Sequence, residues 1–531
     1  MATDRDCRPL FLAGWLLTVV AVSSGCGGGG GGSSSPPPPV VIPSLNSVRL
    51  SGASPFASGC DRVVSAGTSY ENAEVEPSVA SRPADPTHLV AAWQQDRWSD
   101  GGSHGLLAAS SSDAGQTWSV SMPSFSRCAG GTAATGTDYE RASDPWLTVA
   151  ADGTVYMLSL SFSGNTFAAG SSSGMLAARS TDGGATWGVP TVLIADGSAF
   201  FDDKGSITAD PQDSRFVYAV WDRLTTTNTG PTYFARTTDS GTSWEAARSI
   251  FDPGANNQTI GNIIACLPDG SLLLVFSEFD SQGATVSAAI KTMRSTDHGA
   301  TWAAPVLVAA EQPVGTHDPL TGATVRDGSD LPSIAVGPDG HVHIAWQDSR
   351  FSSGQRNGIA FSSSSDNGAT WSAPVQVNGA RGAQAFVPTV SVRGDGVIGV
   401  AYYDFRNDQR QSGQLTTDYW LATSTEGVTW HDTHVKGPFS LLGAPVAEGL
   451  FLGDYQALVA SASDFLPVFV TATNDTANPT DAFIAFGSVA ATASAIGQPS
   501  MLDARVGPAP SIVKISRPTA SSRADRLRTS Y

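Results

Sequence analysis

Four segments of the chain end an apolar run with an aromatic residue and then place an aspartate and an arginine close together. They are Trp93-Gln94-Gln95-Asp96-Arg97, Trp221-Asp222-Arg223, Trp346-Gln347-Asp348-Ser349-Arg350 and Tyr403-Asp404-Phe405-Arg406. A guanidinium is a planar fork that can bind a carboxylated sugar through two parallel hydrogen bonds. Carboxyl groups a few ångströms apart are suited to glycoside hydrolysis. We therefore predict that the aspartates and arginines of these segments form a polar ligand site.

A second set of charged residues precedes apolar runs elsewhere in the chain. The acidic members of this set are Glu76, Asp144, Asp203, Asp330 and Asp454, and Arg141 lies close to Asp144. If each run is a strand, these residues lie where the strand begins, on the same face of the fold as the aspartates and arginines of the four segments. Together the two sets would then form one ring. A ring of this kind can bind substrate, with Arg141 and Asp144 among the binding residues. Ion pairing between neighbouring parts of the fold is the alternative explanation.

The elements that must position these residues are visible as a repeat. One turn recurs as SSSDAGQTWS, RSTDGGATWG, RTTDSGTSWE, RSTDHGATWA and SSSDNGATWS, with a shortened copy TSTEGVTW. Its tryptophans stand at positions 118, 187, 244, 302, 371 and 430, at spacings of 57 to 69 residues. Each unit also contains short apolar strands separated by glycine-containing turns. Four strands per unit at this period are typical of a β-propeller blade, so the sequence predicts an all-β propeller.

A seventh unit follows without the tryptophan turn. Its first three strands are expected at Asp454 to Ala460, Leu466 to Thr473 and Asp481 to Val489. The stretch Ser44 to Ser51 is expected to supply the fourth strand, which would close the ring and remove its open edges. Seven blades are therefore preferred, and six are the alternative.

Strand direction sorts the two recurring motifs onto opposite faces. If the first strand of each unit runs towards the bottom, the second returns to the top and ends there with its aspartate and arginine. The third strand runs down again, so the S-x-D-x-G-x-T-W turns lie at the bottom. We predict that these turns are structural, because the aspartate can accept backbone N–H bonds, the glycine can take a positive φ and the indole can be buried. The concave mouth on the top face is the expected ligand site.

The repeated turns resemble the Asp boxes of the sialidase-like (BNR-repeat) propellers, and the resemblance covers roughly residues 70–490. It implies a glycan or glycoconjugate ligand and exo-glycoside hydrolase chemistry. Active sialidases use three arginines for the substrate carboxylate, a tyrosine nucleophile with a glutamate beside it, and an aspartate acid/base. Tyr455 stands at the tyrosine position of this pattern. The resemblance therefore implies that Tyr455 is catalytic, with Asp454 and Asp96 as candidate carboxyl groups.

The chain departs from the sialidase pattern at three other positions. Val75 stands at the position of the first arginine, Gly261-Asn262 near that of the glutamate, and Phe276-Ser277-Glu278 where the second arginine is expected. Arg356 and Arg410 are the candidates for the third arginine. These departures argue against sialidase activity itself. The alternatives are a hydrolase of different specificity, a non-catalytic carbohydrate- or protein-binding propeller, and a scaffold for protein partners.

Composition limits the partners. The formal net charge of −18 over 531 residues argues against nucleic acid, which would require a basic face. We expect a monomer without a cofactor, and Ca²⁺ at an acidic mouth is the alternative. His341 and His343 share one strand face but have no third ligand near them in sequence, so they are interpreted as solvated residues.

The N-terminal residues have the pattern of an export signal. Arg5 and Arg8 precede an apolar run from Leu10 to Val22, and Cys26 follows small residues as in a bacterial lipoprotein signal. We predict a signal peptide at 1–25, lipidation of Cys26, and membrane contact through that lipid only, with ordinary secretion as the alternative. The further boundaries are a Gly/Ser/Pro tether at 26–43, an N-terminal segment at 44–75, the propeller at 76–490 and a tail at 491–531. In an oxidising compartment, Cys60 and Cys128 are expected to form a disulfide and Cys266 to be a buried free thiol.

Overall fold

The structure is a computed structural model that describes residues 44–227, 229–282 and 285–487. Within these ranges the protein is all-β, as predicted: short strands alternate with tight turns, and the helical segments are three 3-10 turns at Ala133–Thr135, Arg350–Ser352 and Leu441–Gly443. The described part of the chain contains no helix with the length and apolar character needed to cross a bilayer. The signal peptide, Cys26, the tether and the tail all lie outside the described residues.

The chain begins with the short strand β1 (Asn46–Arg49) and then forms two antiparallel units. The first unit contains β2 (Ser69–Arg82), β3 (Asp85–Trp98), β4 (Ser103–Ser111) and β5 (Ser119–Ser121). The second unit contains β6 (Arg141–Val149), β7 (Val155–Ser163), β8 (Ser172–Ser180) and β9 (Thr191–Gly197). In both units each strand pairs with the one before it, so each unit is a meander.

The third and fourth units repeat this plan as separate four-stranded sheets. The third contains β10 (Phe200–Ala209), β11 (Val217–Thr225), β12 (Thr232–Thr237) and β13 (Arg248–Phe251). The fourth contains β14 (Gln258–Cys266), β15 (Leu272–Gln282), β16 (Thr285–Ser295) and β17 (Val306–Glu311). Two short strands follow, β18 (Thr316–His317) and β19 (Thr324–Arg326).

The fifth and sixth units are again four-stranded meanders. The fifth contains β20 (Ser333–Val336), β21 (Val342–Asp348), β22 (Gly358–Ser364) and β23 (Val375–Gln376). The sixth contains β24 (Ala385–Val392), β25 (Ile398–Asp404), β26 (Thr416–Ser424) and β27 (His431–Ser440). The strand β28 (Leu450–Phe451) then pairs with β19, which completes a small sheet of β18, β19 and β28 that the sequence did not predict.

The last unit combines the two ends of the described chain. It contains β29 (Ala457–Ala460), β30 (Phe465–Asp475) and β31 (Asn478–Phe486). The strand expected within Ser44 to Ser51 forms as β1 and pairs antiparallel with β31, with Asn46 opposite Phe486. The first strands of successive units contact one another, from β2 through β6, β10, β14, β20 and β24 to β29, and β29 also contacts β2.

The core lies between the sheets. The second strand of a unit is covered on both faces, which is why it reads as a continuous apolar run instead of an alternating one. Leu89 to Trp93 in β3 are fully buried, and Trp93, Trp221 and Trp346 occupy the same position in three different units. Burial of such indoles stabilises the fold by about 25 cal/mol for each Å² of apolar surface removed from water.

The S-x-D-x-G-x-T-W turns stabilise the packing of one sheet against the next. In the turn at Asp182, the carboxylate accepts hydrogen bonds from the Thr186 N–H at 2.9 Å and from the Ser180 hydroxyl at 2.8 Å. The turn glycines have positive φ, and a methyl group added to any of them would lie within 3.1 Å of a side chain of a neighbouring unit. Those glycines are Gly115, Gly184, Gly241, Gly299, Gly368 and Gly427. The contacts agree with the structural role predicted for these turns.

The N-terminal segment is fastened to the first unit. Cys60 and Cys128 form a disulfide, which confirms the predicted pair. Beside it, His104 bridges two buried carboxylates, with Nδ1 3.0 Å from Asp96 and Nε2 3.2 Å from Asp61. Among the described residues, Cys266 is the free thiol. The residue is partly exposed, whereas the sequence predicted a buried one, and burial of the sulfur raises the pKa of the thiol.

Candidate functional site

Five of the first strands carry a bulge at the same point. The register with the second strand shifts there, and one residue takes a left-handed conformation. Those residues are Glu76 (φ 53°), Asp144 (φ 54°), Lys204 (φ 45°), Gly261 (φ 70°) and Val387 (φ 51°). A non-glycine residue in this conformation costs about 1–3 kcal/mol, and such strain is concentrated at functional sites. A bulge also re-aims the side chain that it carries, and here it brings three charged side chains together.

Those three side chains meet Asp454 and Arg326, and we call the five the mouth cluster. The Lys204 Nζ lies 2.8 Å from Asp454 Oδ2, 3.6 Å from Asp144 Oδ1 and 3.8 Å from Glu76 Oε1. Arg326 donates from Nε to Asp454 Oδ1 at 2.9 Å. The three carboxyl residues are 1–5 % exposed and Lys204 is 8 % exposed. The cluster is therefore a buried ion-pair network in which the lysine is shared by three acids.

The acids of the mouth cluster have opposite protonation preferences. Burial raises the pKa of Glu76 to about 8, and the nearby Asp144 carboxylate acts in the same direction. Burial also opposes ionisation of Asp144, but the charge of Lys204 together with hydrogen bonds from Glu76 and Ser143 outweighs it and lowers the pKa of Asp144. For Asp454, the charges of Arg326 and Lys204 overcome burial and hold the pKa well below its usual range. At neutral pH the cluster thus contains a protonated Glu76 beside two carboxylates.

A second layer of polar residues orients Glu76. Gln94 donates from its amide to Glu76 Oε2 and, at 3.0 Å, to the Ser143 hydroxyl. Arg97 donates to the Gln94 Oε1 at 2.8 Å, which fixes the orientation of the amide. The guanidiniums of Arg97 and Arg326 lie 4.8 Å and 4.6 Å from the centre of the Phe451 ring. The small sheet that carries Arg326 and Phe451 thus packs directly onto the charged residues.

A cavity of about 190 Å³ adjoins the mouth cluster. Lys204, Asp454 and Tyr455 face it, and residues in or next to the first strand of every unit complete its lining. Tyr455 donates its hydroxyl to the Pro145 carbonyl at 3.2 Å, and its ring lies 5.3 Å from that of Trp146. Burial and then the charge of Glu76 raise the pKa of Tyr455. The cavity therefore has a charged end and an aromatic wall, which is a common arrangement for a small polar ligand.

The structure brings only some of the predicted site residues together. Asp454, Tyr455, Asp144 and Glu76 are neighbours, and Arg97 reaches them through Gln94. Asp96 bonds instead to Ser54, Asn72 and His104 in the bridge to the N-terminal segment. Its catalytic role stays a prediction.

The other predicted binding residues are held in hydrogen bonds and ion pairs outside the mouth cluster. The pairs are Arg141–Asp100 at 2.8 Å, Arg223–Asp196 at 2.6 Å, Arg350–Asp348 at 2.7 Å, Arg406–Asp404 at 2.6 Å and Arg406–Asp432 at 2.7 Å. The Asp222 carboxylate accepts from the Asn262 amide at 2.6 Å and the Thr259 hydroxyl at 3.0 Å. A direct substrate-binding role for these residues stays a prediction.

Lys204 and Arg326 were not predicted from the sequence. Asp203 was expected in the ring, but Lys204 occupies that position and Asp203 pairs across the sheet with Asp222. Alignment of Lys204-Gly205-Ser206 with Glu76-Pro77-Ser78 would have identified the lysine. No local signal pointed to Arg326, because it belongs to the unpredicted small sheet. Asp330, also expected in the ring, directly precedes Leu331, which lines the cavity.

The described residues contain no group of three or more His, Cys, Asp or Glu side chains arranged to hold a metal ion. Lys204 and Arg326 neutralise the carboxylates of the mouth cluster. Calcium at the mouth stays a prediction.

Comparisons with known proteins give structural matches only. No family model matches the chain, and no curated protein matches it. Among solved structures, a protein of unknown function from Dyadobacter fermentans is 15% identical, with 78% of this chain and 95% of that chain covered and a TM-score of 0.41. An α-L-arabinanase from Penicillium chrysogenum in complex with arabinobiose is 14% identical, with 83% and 98% covered and a TM-score of 0.42. A Hadza microbial sialidase is 14% identical, with 65% and 66% covered and a TM-score of 0.42.

Proposed function

We propose that this chain is a seven-bladed, sialidase-like propeller that binds a glycan at the mouth cluster and hydrolyses a glycosidic bond there. The contacts of the first strands, which lead from β2 through five further units to β29 and back to β2, support the blade count. The pairing of β1 with β31 supports closure of the ring by the N-terminal strand.

The observation that carries the catalytic proposal is the pair of opposite pKa shifts within the mouth cluster. A general acid must hold a proton at neutral pH, and Glu76, with its pKa raised to about 8, meets this requirement. Asp454 stays ionised beside it and lines the cavity, where it can stabilise positive charge that develops on a sugar ring. Tyr455 supplies a hydroxyl and an aromatic wall to the same cavity.

A non-catalytic binding propeller is the second candidate, and burial of the mouth cluster favours it. Glu76 is 1 % exposed, and Asp454 already receives hydrogen bonds from both Lys204 and Arg326. A network satisfied in this way can serve to hold the first strands together beneath a binding surface.

Turnover of fluorogenic sialosides, hexosides and pentosides separates the two candidates. For the enzyme, Glu76→Gln lowers kcat by about 10²–10⁴-fold, the usual contribution of a general acid. Tyr455→Phe also lowers the rate if the hydroxyl acts in the reaction. Glu426→Gln is the matched control, because it makes the same chemical change at an exposed turn and leaves turnover unchanged. If no substrate is turned over but binding to a glycan array is retained, the hydrolase proposal is wrong and the binding propeller is supported.

A further inference from the structure

A groove of about 440 Å³ lies between the second and third units, on the face that carries the S-x-D-x-G-x-T-W turns. Its walls include the partly exposed indoles of Trp187 and Trp244. Tyr156 and Arg179 also line it, and Gly241 belongs to the turn at one side. We call this the indole groove. It is separate from the mouth cluster, because Asp144 lies near the end of β6 that pairs with Phe162, whereas the turn follows Ser180, which pairs with Val155 at the other end of β7.

The equivalent junction between the third and fourth units is filled by side chains. The rings of Phe216 and His298 stack there, with centroids 4.2 Å apart and planes 8° from parallel. The buried Tyr218 hydroxyl bonds to His298 Nδ1 at 3.1 Å and to Asp210 at 3.0 Å. Arg236 pairs with Glu245 at 3.0 Å. The side chains of Tyr218, His298, Arg236 and Glu245 thus all have polar partners within the protein.

Small residues replace three of these side chains at the indole groove. Thr154 stands at the position of Phe216, one residue before the strand that carries the buried tyrosine, and Ser240 stands at the turn position of His298. Gly188 follows its turn tryptophan where Glu245 follows Trp244. The groove is open because these positions no longer fill it.

The backbone at the last of these positions is unchanged. The Gly188 N–H donates to the Arg179 carbonyl at 2.9 Å, as the Glu245 N–H donates to the Arg236 carbonyl at 2.8 Å. What differs is the side chain. Glu245 supplies the carboxylate that neutralises Arg236, and Gly188 supplies no such group to Arg179. A Cβ at Gly188 would meet only that carbonyl, at an ordinary 3.4 Å.

The missing side chains leave two polar groups at the groove without partners. Within the described residues, the Tyr156 hydroxyl and the Arg179 Nε are buried, and neither lies within hydrogen-bond distance and angle of a partner. Tyr156 is only 1 % exposed. Burial raises the pKa of Tyr156, while the charge of Arg179 and its polar interaction with the hydroxyl act against this rise. A buried donor without a partner destabilises the folded protein, and a ligand that accepts hydrogen bonds from both groups would recover this energy.

The chemistry of the groove specifies its ligand. A guanidinium without an internal carboxylate prefers an external one, which it can bind through two parallel hydrogen bonds. Two indole walls with a few polar groups between them suit a ring with an apolar face. We propose that the indole groove binds a carboxylate-bearing ring, as found in uronic acids and in aromatic acids. This site goes beyond the function proposed for the mouth cluster and does not depend on it.

Binding at the groove can be followed through the tryptophan side chains of the full chain. In protein labelled with ¹⁵N-tryptophan, Trp187→Phe and Trp244→Phe assign the two indole N–H signals. Titration with glucuronate is expected to shift both signals saturably, and titration with glucose, which lacks the carboxylate, is expected to leave them in place. Benzoate tests the aromatic source of the same chemistry: a stronger response to benzoate than to glucuronate identifies an aromatic acid as the ligand, and the reverse identifies a sugar acid.

Two variants test the role of Arg179. Arg179→Gln is expected to weaken binding of the effective acid by about tenfold to a hundredfold, which is the usual effect of removing a charged hydrogen-bond donor. Arg236→Gln, the same change at the filled junction, is the matched control and leaves binding unchanged. Gly188→Glu supplies an internal carboxylate to Arg179 and is expected to abolish binding in a folded protein. This variant tests the proposal even if Arg179→Gln does not fold. The proposal is wrong if neither acid shifts the two signals, if glucose shifts them equally, or if Arg179→Gln binds like the wild type.

Discussion

The two faces of the molecule use the same carboxyl chemistry in opposite ways. At the turns, the aspartates are exposed or, for Asp297, partly exposed, and they accept hydrogen bonds from neighbours two and four residues away, which lowers their pKa to about 2. In the mouth cluster, the acids are buried, and burial raises the pKa of Glu76 to about 8. The turn aspartates fix the turn and are fully ionised at neutral pH, so they cannot donate a proton. The mouth cluster holds a proton beside ionised partners, which is the condition for acid–base chemistry.

The comparison also shows how differently the two faces depend on single residues. Each turn is one of six copies, so the loss of one weakens one contact between sheets. The mouth cluster exists once, and three of its acids share Lys204. Removal of the lysine would leave the Asp144 and Asp454 carboxylates without the ammonium group that both contact, while the ion pair of Arg326 with Asp454 would remain.

The largest effect is therefore expected for Lys204→Met. This change removes one partner from a buried ion-pair network, which typically costs about 3–5 kcal/mol. Urea unfolding measures the loss. Lys291→Met is the control, because its pair with Glu278 is at 2.7 Å but the lysine side chain is 26 % exposed, and we expect about 1 kcal/mol or less there. Equal losses for the two lysines would show that the mouth cluster is no more tightly coupled than a surface pair.

A smaller loss is expected for Gly299→Ala at one turn. Gly299 has a φ of 79°, and an added Cβ would lie 2.6 Å from Cζ of the buried Phe234, so the variant combines backbone strain with a clash. We expect a loss of about 1–3 kcal/mol in the free energy of unfolding. Gly396→Ala separates the two causes, because Gly396 has a φ of 85° but open space around it. If Gly396→Ala loses as much stability as Gly299→Ala, packing of the turn against the next sheet contributes nothing.

The smallest effect per pH unit is a pH dependence of stability with opposite signs for the two faces, since one bound proton changes the free energy of unfolding by about 1.4 kcal/mol per pH unit. Turn aspartates bind protons less readily in the folded state, so their contribution is complete above pH 4 and declines as the pH falls towards 2. Glu76 binds its proton more tightly when folded, so its contribution is complete below about pH 4.5 and declines as the pH rises through 8.

Urea unfolding between pH 3 and pH 9 measures both slopes. Glu76→Gln, which mimics the protonated acid, is expected to flatten the decline between pH 5 and pH 8, a change of up to about one bound proton. Asp113→Asn is expected to reduce the decline in the free energy of unfolding below pH 4 and to leave the decline above pH 5 unchanged. An alkaline decline that persists unchanged in Glu76→Gln would contradict the raised pKa of Glu76.

Local patterns predicted the turn face well. A turn such as RSTDGGATWG contains its own donors and acceptors within eight residues, so the spacing alone indicates the hydrogen bonds of Asp182 and the positive φ of Gly184. The alternation of strands and turns likewise predicted the all-β fold and a short N-terminal strand, which forms as β1. The error at Asp203 arose because a bulge shifts the register by one residue, and a bulge has no sequence signature as clear as that of a turn.

The sequence by itself determined the repeating strands and the turns that stabilise the contacts between them, because those features follow from residue types at short range. Only the tertiary structure decided which charges meet. The mouth cluster draws Glu76, Asp144, Lys204, Arg326 and Asp454 from five separate parts of the chain, and their distances depend on how the sheets pack. The indole groove depends in the same way on side chains of neighbouring units, and it is open because the residues that face each other there are small.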